Sequence, residues 1–211
     1  MPTCARPNLT PGGRCLGLLL AGLAWISSPA LAQAPPPATS AQIAAAVLPL
    51  PAGLRAGAGV VRLDDQGHPH ELRRSANGMV CLADEPGDSV FDVRCYHRSF
   101  VPFIYRARQL AASGVPDSMI DRRIDTEVRG GTLKLPTGAT AGYRMLGPIA
   151  GYDPSTNTVT DTIDAWQSIH LPYRSAAAIG LPTEEDGTHP YVMASGTYWS
   201  HVMILERPSR Y

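Results

Sequence analysis

Short runs in which apolar and polar residues alternate, separated by clusters of turn-forming residues, fill most of the chain after residue 59. A period of two is typical of strands with one buried face. The pattern predicts strands at 60–63, 70–74, 79–83, 90–95, 132–135, 143–146, 163–170, 191–194 and 199–205. The first three follow one another through tight turns, which predicts an antiparallel meander.

Two stretches between these strands repeat their apolar residues every three or four positions, as amphipathic helices do. One helix is predicted from a cap at Ser99 to Ala112. The next begins after Pro116 and ends at Gly130. Shorter helices are predicted at 40–48 and 175–179. Strands, then helices, then strands indicate an α+β fold, with antiparallel sheet and the two amphipathic helices on one side.

A disulfide bond is predicted between Cys81 and Cys95. Each cysteine lies in a short apolar-alternating run, and the turn-forming cluster 84–89 separates the two runs. A bond between them closes a loop of about 15 residues, which in the chain-entropy model stabilises the fold by about 3 kcal/mol.

The N-terminal residues have the features of a signal peptide. Arg6 and Arg14 precede an apolar core at 15–26, and Ala30-Leu31-Ala32 matches an A-x-A cleavage site. The apolar core is too short to span a bilayer, and no second run of that length follows. We therefore expect a signal peptide at 1–32, a Pro-rich linker at 33–38 and a single α+β domain at 39–211. The domain is predicted to be periplasmic or secreted, where disulfides persist.

Charge and motifs exclude several classes of partner. The chain has 18 basic and 18 acidic residues, and loss of Arg6 and Arg14 would leave a slightly acidic domain without a basic cluster. Nucleic acid is therefore not an expected partner. Gly57-Ala58-Gly59 is not a dinucleotide fingerprint, because no strand precedes it and Arg62 stands at the third glycine position. No cofactor is predicted, and the expected partner is a small molecule or an envelope protein.

Two histidines of the C-terminal strands are the main candidates for a site. If their strands pair, the imidazoles of His170 and His201 lie on one face and could form a small-molecule or metal pocket. The candidate pocket residues are His170, His201, Tyr173, Tyr198 and Asp153, with Asp164 as a second possible carboxylate. The alternative is that each histidine is hydrogen-bonded and half-buried in the sheet.

Other candidates are weaker. His68 and His70 could bind a metal together with Asp64 and Asp65, or could simply lie at an exposed hairpin tip. Ser195 precedes His201 by six residues, but no G-x-S-x-G motif occurs. Acidic clusters at 84–88 and 184–186 fit solvated loops better than a glycosidase pair. Aromatic residues that could stack on sugars, but more often form core, are Trp166, Tyr191, Tyr198 and Trp199.

Three segments resemble a family of uncharacterised exported bacterial proteins. They are NGMVC at 77–81 with Cys95, AGYRMLG at 141–147, and PYVMASGTYWSHVMI at 190–204. The chain departs from the family pattern at Tyr198, where proline is expected, and around Ser168 to Pro172. The resemblance implies an exported single domain and implies no chemistry.

No catalytic motif stands out from the sequence. The favoured function is therefore that of a non-enzymatic binding or interaction domain. The alternative is a hydrolase or metal-dependent enzyme that uses His170 and His201.

Overall fold

An eight-stranded sheet forms the centre of the computed structural model, which describes residues 39–206. The predicted signal peptide and the Pro-rich linker lie outside the described residues. The strands in chain order are β1 (Gly59–Leu63), β2 (Pro69–Arg73), β3 (Met79–Leu82), β4 (Val90–His97), β5 (Thr140–Pro148), β6 (Tyr152–Asp153), β7 (Thr158–Val159), β8 (Asp164–His170), β9 (Tyr191–Met193) and β10 (His201–Glu206).

The order of the main sheet is β2-β1-β3-β4-β5-β8-β10-β9, and β6 pairs with β7 in a separate small hairpin. All pairs of the main sheet are antiparallel except β1 with β3, which is parallel. The predicted meander of the first three strands is therefore wrong. The reason is that β3 buries residues on both of its faces whereas β2 is largely exposed, so β3 takes the inner position and β2 the edge.

The helices lie on both faces of this sheet. They are α1 (Thr39–Ala46), α2 (Ala52–Arg55), α3 (Val101–Ala112), α4 (Asp117–Arg129) and α5 (Ala176–Ile179), with one 3-10 turn at Ile149–Gly151. The predicted cap at Ser99 is wrong. Phe100 holds the N-cap position of α3, and Ser99 Oγ instead lies 2.8 Å from His97 Nδ1.

Alternation along the strands divides the core into two parts. On one face, here called the α3 face, Val61, Leu82 and Tyr96 pack with Phe100, Phe103, Leu110 and Ile124 of the α3–α4 region. On the opposite face, Cys81 and Cys95 pack with Ala46 and Val47 at the end of α1. The two predicted amphipathic helices thus share one side, and α1 covers part of the other.

The predicted disulfide between Cys81 and Cys95 is confirmed. The two cysteines are direct partners in the antiparallel pair of β3 and β4, and both are completely buried. The bond therefore fixes the register of two inner strands.

The strand predicted at 132–135 is wrong. The backbone N–H groups of Thr132 and Leu133 both donate to the carbonyl of Glu127, so this segment wraps around the C-terminal end of α4. Leu133 and Leu135 pack against the core of the α3 face. Their alternation therefore reflects burial of a loop and not membership of a sheet. No helix between residues 39 and 206 has the length and apolarity needed to cross a bilayer.

Candidate functional site

A cleft of about 540 Å³ lies on the α3 face, between the β1–β2 turn, the loop from β3 to β4 and the C-terminal half of α3. This volume falls within the range of small-molecule sites. Six carboxylates and three arginines line it: Asp64, Asp65, Asp84, Glu85, Asp88 and Asp92, with Arg62, Arg94 and Arg108. The excess of acidic groups gives the cleft a negative potential.

The β1–β2 turn forms one wall of the cleft and is held in place by its own hydrogen bonds. Asp64 Oδ1 accepts the N–H groups of Gln66 and His68 at 2.9 and 2.8 Å. Gly67 has φ +76°, and a Cβ there would lie 2.7 Å from backbone atoms of Arg108 and Gln109. Only glycine lets the turn approach α3 this closely.

Asp92 forms the base of the cleft together with two arginines. Arg144 donates from Nε and Nη2 to the two carboxylate oxygens at 2.8 Å each, and Arg94 donates to the same oxygens. Burial raises the pKa of Asp92, but the hydrogen bonds from Arg94 and Arg144 outweigh it and hold the pKa below its usual range. Asp92 therefore stays ionised at neutral pH and holds Arg94 and Arg144 at the base of the cleft.

Asp84 is a half-buried carboxyl beside Asp92, and its Oδ1 accepts the Asp92 backbone N–H at 2.8 Å. Burial raises its pKa to about 6, and the negative charges of Asp88 and Asp92 act in the same direction. Two carboxyl groups of one cleft thus have pKa values displaced in opposite directions. Such displaced values are concentrated at functional sites.

The acidic side chains of the cleft are spread along its walls. No group of three metal-ligating His, Cys, Asp or Glu residues converges anywhere in the described part of the chain. The arrangement fits an extended organic ligand with several positive charges better than one metal ion, because such a ligand can meet carboxylates at separate points.

The histidines of β8 and β10 are brought together, although not in this cleft. His170 and His201 are direct partners in the β8–β10 pair, with ring centroids 4.9 Å apart. They are only 2% and 5% exposed. The rings of Tyr96, Phe100 and Trp199 pack around His170 in tilted or T-shaped arrangements, at centroid distances of 4.1 to 5.7 Å.

Burial favours the neutral form of both imidazoles. His170 Nε2 lies 3.2 Å from Ser168 Oγ, and His201 Nδ1 lies 2.6 Å from the Trp199 carbonyl, to which it donates. Burial lowers the pKa of His170 to about 3, and His201 contributes. Burial also lowers the pKa of His201, although its bond to Trp199 opposes the shift. Neither Asp153 nor Asp164 bonds to either ring among the described residues.

The other predicted pocket residues lie apart from the histidines. Tyr173 and Tyr198 donate to Asp125 and Asp121 of α4 at 2.6 and 2.8 Å, so they fasten C-terminal loops to that helix. Asp153 is exposed and bonds within the β6–β7 turn. These contacts are structural, and they do not assemble the pocket that the sequence predicted around His170.

The weaker candidates are also placed. His68 and His70 both contact Asp64 Oδ2, at 3.5 and 3.2 Å, on an exposed turn. Ser195 Oγ accepts the Ala176 N–H, which gives it a structural role at the start of α5. Asp186 contacts His189 in an exposed loop, and Tyr191 donates to Glu185.

The acidic cleft is the part of the site that sequence reasoning missed. The sequence favours a solvated loop for Asp84, Glu85 and Asp88. Glu85 and Asp88 are exposed as expected, but Asp84 is half-buried. One signal was present in the sequence. Asp92 and Arg94 are two apart in a predicted strand, so both must point to the same face.

The chain matches no protein-family model, and searches of curated proteins and of solved structures also find no match. The resemblance to exported bacterial proteins therefore stays a prediction, and the chemistry of the site is argued from its own geometry.

Proposed function

We propose that this protein is an exported, non-enzymatic binding protein that takes an organic polycation, such as a linear diamine or polyamine, into the acidic cleft. The observation that carries the proposal is the lining of the cleft, where six carboxylates face three arginines. Asp92 is already paired with Arg94 and Arg144, a cluster with one net positive charge. The five other carboxylates face Arg62 and Arg108, so the lining stays negative when they are ionised.

The walls and the floor of the cleft have different parts in this binding. Two arginines bind Asp92, so the base of the cleft is ordered without a ligand. Glu85 and Asp88 are exposed on the β3–β4 loop, and Asp65 is exposed on the β1–β2 turn. Ammonium groups spaced along an alkyl chain can reach these loops together, and the apolar chain can contact Leu63, Leu82 and Ala111.

Asp84 makes the binding depend on pH. Its carboxyl is charged above about pH 6 and neutral below it. A cation gains from the charged form only, so affinity should fall as the pH drops through this value. A ligand that binds an ionised, half-buried carboxylate also relieves the cost of leaving that charge poorly solvated.

A thermal-shift screen at pH 7.5 tests the proposal. Spermidine and putrescine should both raise the melting temperature, spermidine more because it carries more charges, while neutral sugars and dicarboxylates should not. The double variant Glu85→Gln/Asp88→Asn removes two charges from the cleft and should lose most of the shift. Glu184→Gln, which removes an exposed acid from another loop, is the control and should keep it. Equal shifts in both variants, or no shift with either amine, would contradict the proposal.

Export is part of the same proposal. Support comes from the signal-peptide pattern at 1–32 and from the Cys81–Cys95 disulfide, since such bonds persist in oxidising compartments. Cell fractionation of the expressed chain should recover a shortened protein outside the cytoplasm. Recovery of the full-length chain in the cytoplasm would contradict this part.

A further inference from the structure

A row of four side chains crosses the sheet away from the acidic cleft. Thr140, His170, His201 and Met193 are paired in register on β5, β8, β10 and β9, so their side chains leave the same face of four adjacent strands. Paired residues place their Cβ atoms about 5 Å apart. The row runs from the buried inside of the sheet to its β9 edge.

Two polar atoms of this row are buried without a partner. Among the described residues, neither His170 Nδ1 nor Thr140 Oγ1 has a hydrogen bond, although His170 is only 2% exposed. A buried polar group without a partner weakens the fold, because it has lost its hydrogen bonds to water and gained none in return. His170 Nε2 already lies 3.2 Å from Ser168 Oγ, so Nδ1 is the atom that remains for a ligand.

His201 and Met193 supply two further donor atoms. His201 Nδ1 donates to the Trp199 carbonyl, which fixes the ring and leaves Nε2 with its lone pair. Met193 pairs with His201 in register and is 43% exposed, which is unusual for a large apolar side chain in this fold. Its sulfur lies 4.0 Å from the Tyr191 hydroxyl. The thioether therefore stands at the solvent end of the row.

We propose that His170, His201 and Met193 form a binding site for a soft monovalent metal ion of the Cu(I) class. Thioether and imidazole are neutral ligands that suit Cu(I), whereas hard divalent ions favour carboxylates. No carboxylate bonds to either imidazole in residues 39–206, and the walls are the aromatic rings of Tyr96, Phe100 and Trp199. A single positive charge is less costly than two in such surroundings.

The ring of Trp199 encloses the two imidazoles. Its centroid lies 5.2 Å from that of His170 and 5.9 Å from that of His201, at interplanar angles of 67° and 82°. This site is independent of the acidic cleft, which lies under the β1–β2 turn.

Competition between the protein and a chromophoric Cu(I) chelator tests the site. Free thiols are first alkylated, so that Cys4 and Cys15 do not compete. The wild type should withdraw one equivalent of Cu(I). Met193→Leu keeps the size and apolar character of the side chain and should weaken Cu(I) binding at least tenfold. Met119→Leu, on α4, is the matched control and should leave it unchanged.

A second variant removes the imidazole of His201. His201→Gln should no longer withdraw Cu(I) from the chelator, and its circular dichroism spectrum shows whether the variant is folded. Wild-type affinity in Met193→Leu would overturn the proposal even if His201→Gln fails to fold. Tighter binding of Zn(II) than of Cu(I) by the wild type would also overturn it, because a soft site must prefer the softer ion.

Discussion

At the scale of single residues, the central feature is the contrast between Asp84 and Asp92. Both carboxyl groups line one cleft, and the Asp92 N–H donates to Asp84. Arg94 and Arg144 keep Asp92 ionised, whereas burial raises the pKa of Asp84 to about 6. Asp92 holds the two arginines at the base of the cleft, and Asp84 is available to bind a ligand.

Asp84→Asn should stabilise the protein at neutral pH. The folded-state pKa of Asp84 is above its unfolded value, so the ionised form weakens the fold above about pH 6, and this cost disappears as the pH falls towards 4. We expect a gain of about 1 kcal/mol at pH 7.5, because the half-exposed carboxyl is partly solvated. Urea unfolding at pH 7.5 and 4 measures it.

Asp88→Asn is the control for this experiment, since Asp88 is exposed on the same loop. It should change stability by less than about 0.5 kcal/mol. A gain from Asp84→Asn that is equal at both pH values would show that the effect is not due to ionisation.

Asp92→Ala should have the opposite effect. It leaves Arg94 and Arg144 side by side, half-buried and without their shared carboxylate. Breaking a buried ion pair costs about 3 to 5 kcal/mol, and partial exposure reduces this to about 2 kcal/mol. Chemical unfolding measures the loss. Because Arg144 lies over Trp166 at 5.3 Å, the fluorescence of that tryptophan should change as well. Stability equal to that of the wild type would contradict the assigned role.

At the scale of elements, local patterns predicted most of the helices and strands. The β3–β4 hairpin, α3 and α4 were predictable because a turn cluster, an apolar period and stop residues lie within each segment. The parallel pairing of β1 with β3 was not predictable from local patterns, since it depends on β3, and not β2, being buried on both faces. Likewise, alternation at 132–135 cannot distinguish a strand from a loop that packs Leu133 and Leu135 against α4.

Removing the disulfide should weaken the β3–β4 hairpin without changing the fold. The double variant Cys81→Ala/Cys95→Ala should lose about 3 kcal/mol, as expected for a closed loop of about 15 residues. Guanidinium unfolding measures the loss. Reduction of the wild type should produce a similar loss and should have no effect on the variant. A variant as stable as the wild type would contradict a stabilising role for the bond.

Gly67→Ala should displace the β1–β2 turn from α3. A Cβ at this position meets the Arg108 backbone at 2.7 Å, and φ is +76°. We expect a loss of about 2 to 4 kcal/mol, from strain and from the displaced wall of the cleft. Gly87→Ala is the matched control, because Gly87 has φ +97° with nothing within 4 Å, so it should cost only about 1 kcal/mol. Equal losses would show that contact with α3 is unimportant.

At the scale of the whole molecule, the cleft assembles only when distant segments meet. Its acids come from the β1–β2 turn, the β3–β4 loop and β4, and α3 closes it. No local pattern records that α3 docks there, so the acids could be seen in the sequence but their convergence could not. The pairing of His170 with His201 was easier to predict, because both lie in strands. Their enclosure by Tyr96 and Phe100 was not predictable, because it depends on long-range packing.

The most direct test of the cation-binding cleft is calorimetric titration with spermidine at pH 7.5 and pH 5.0, on the wild type and on Asp84→Asn. The amines stay protonated at both pH values, and the two proteins differ only at residue 84. We predict that the wild type loses at least fivefold in affinity at pH 5.0, and that Asp84→Asn binds more weakly at pH 7.5 and loses much less at pH 5.0. The same affinity at both pH values in the wild type, or an identical pH response in Asp84→Asn, would contradict this account.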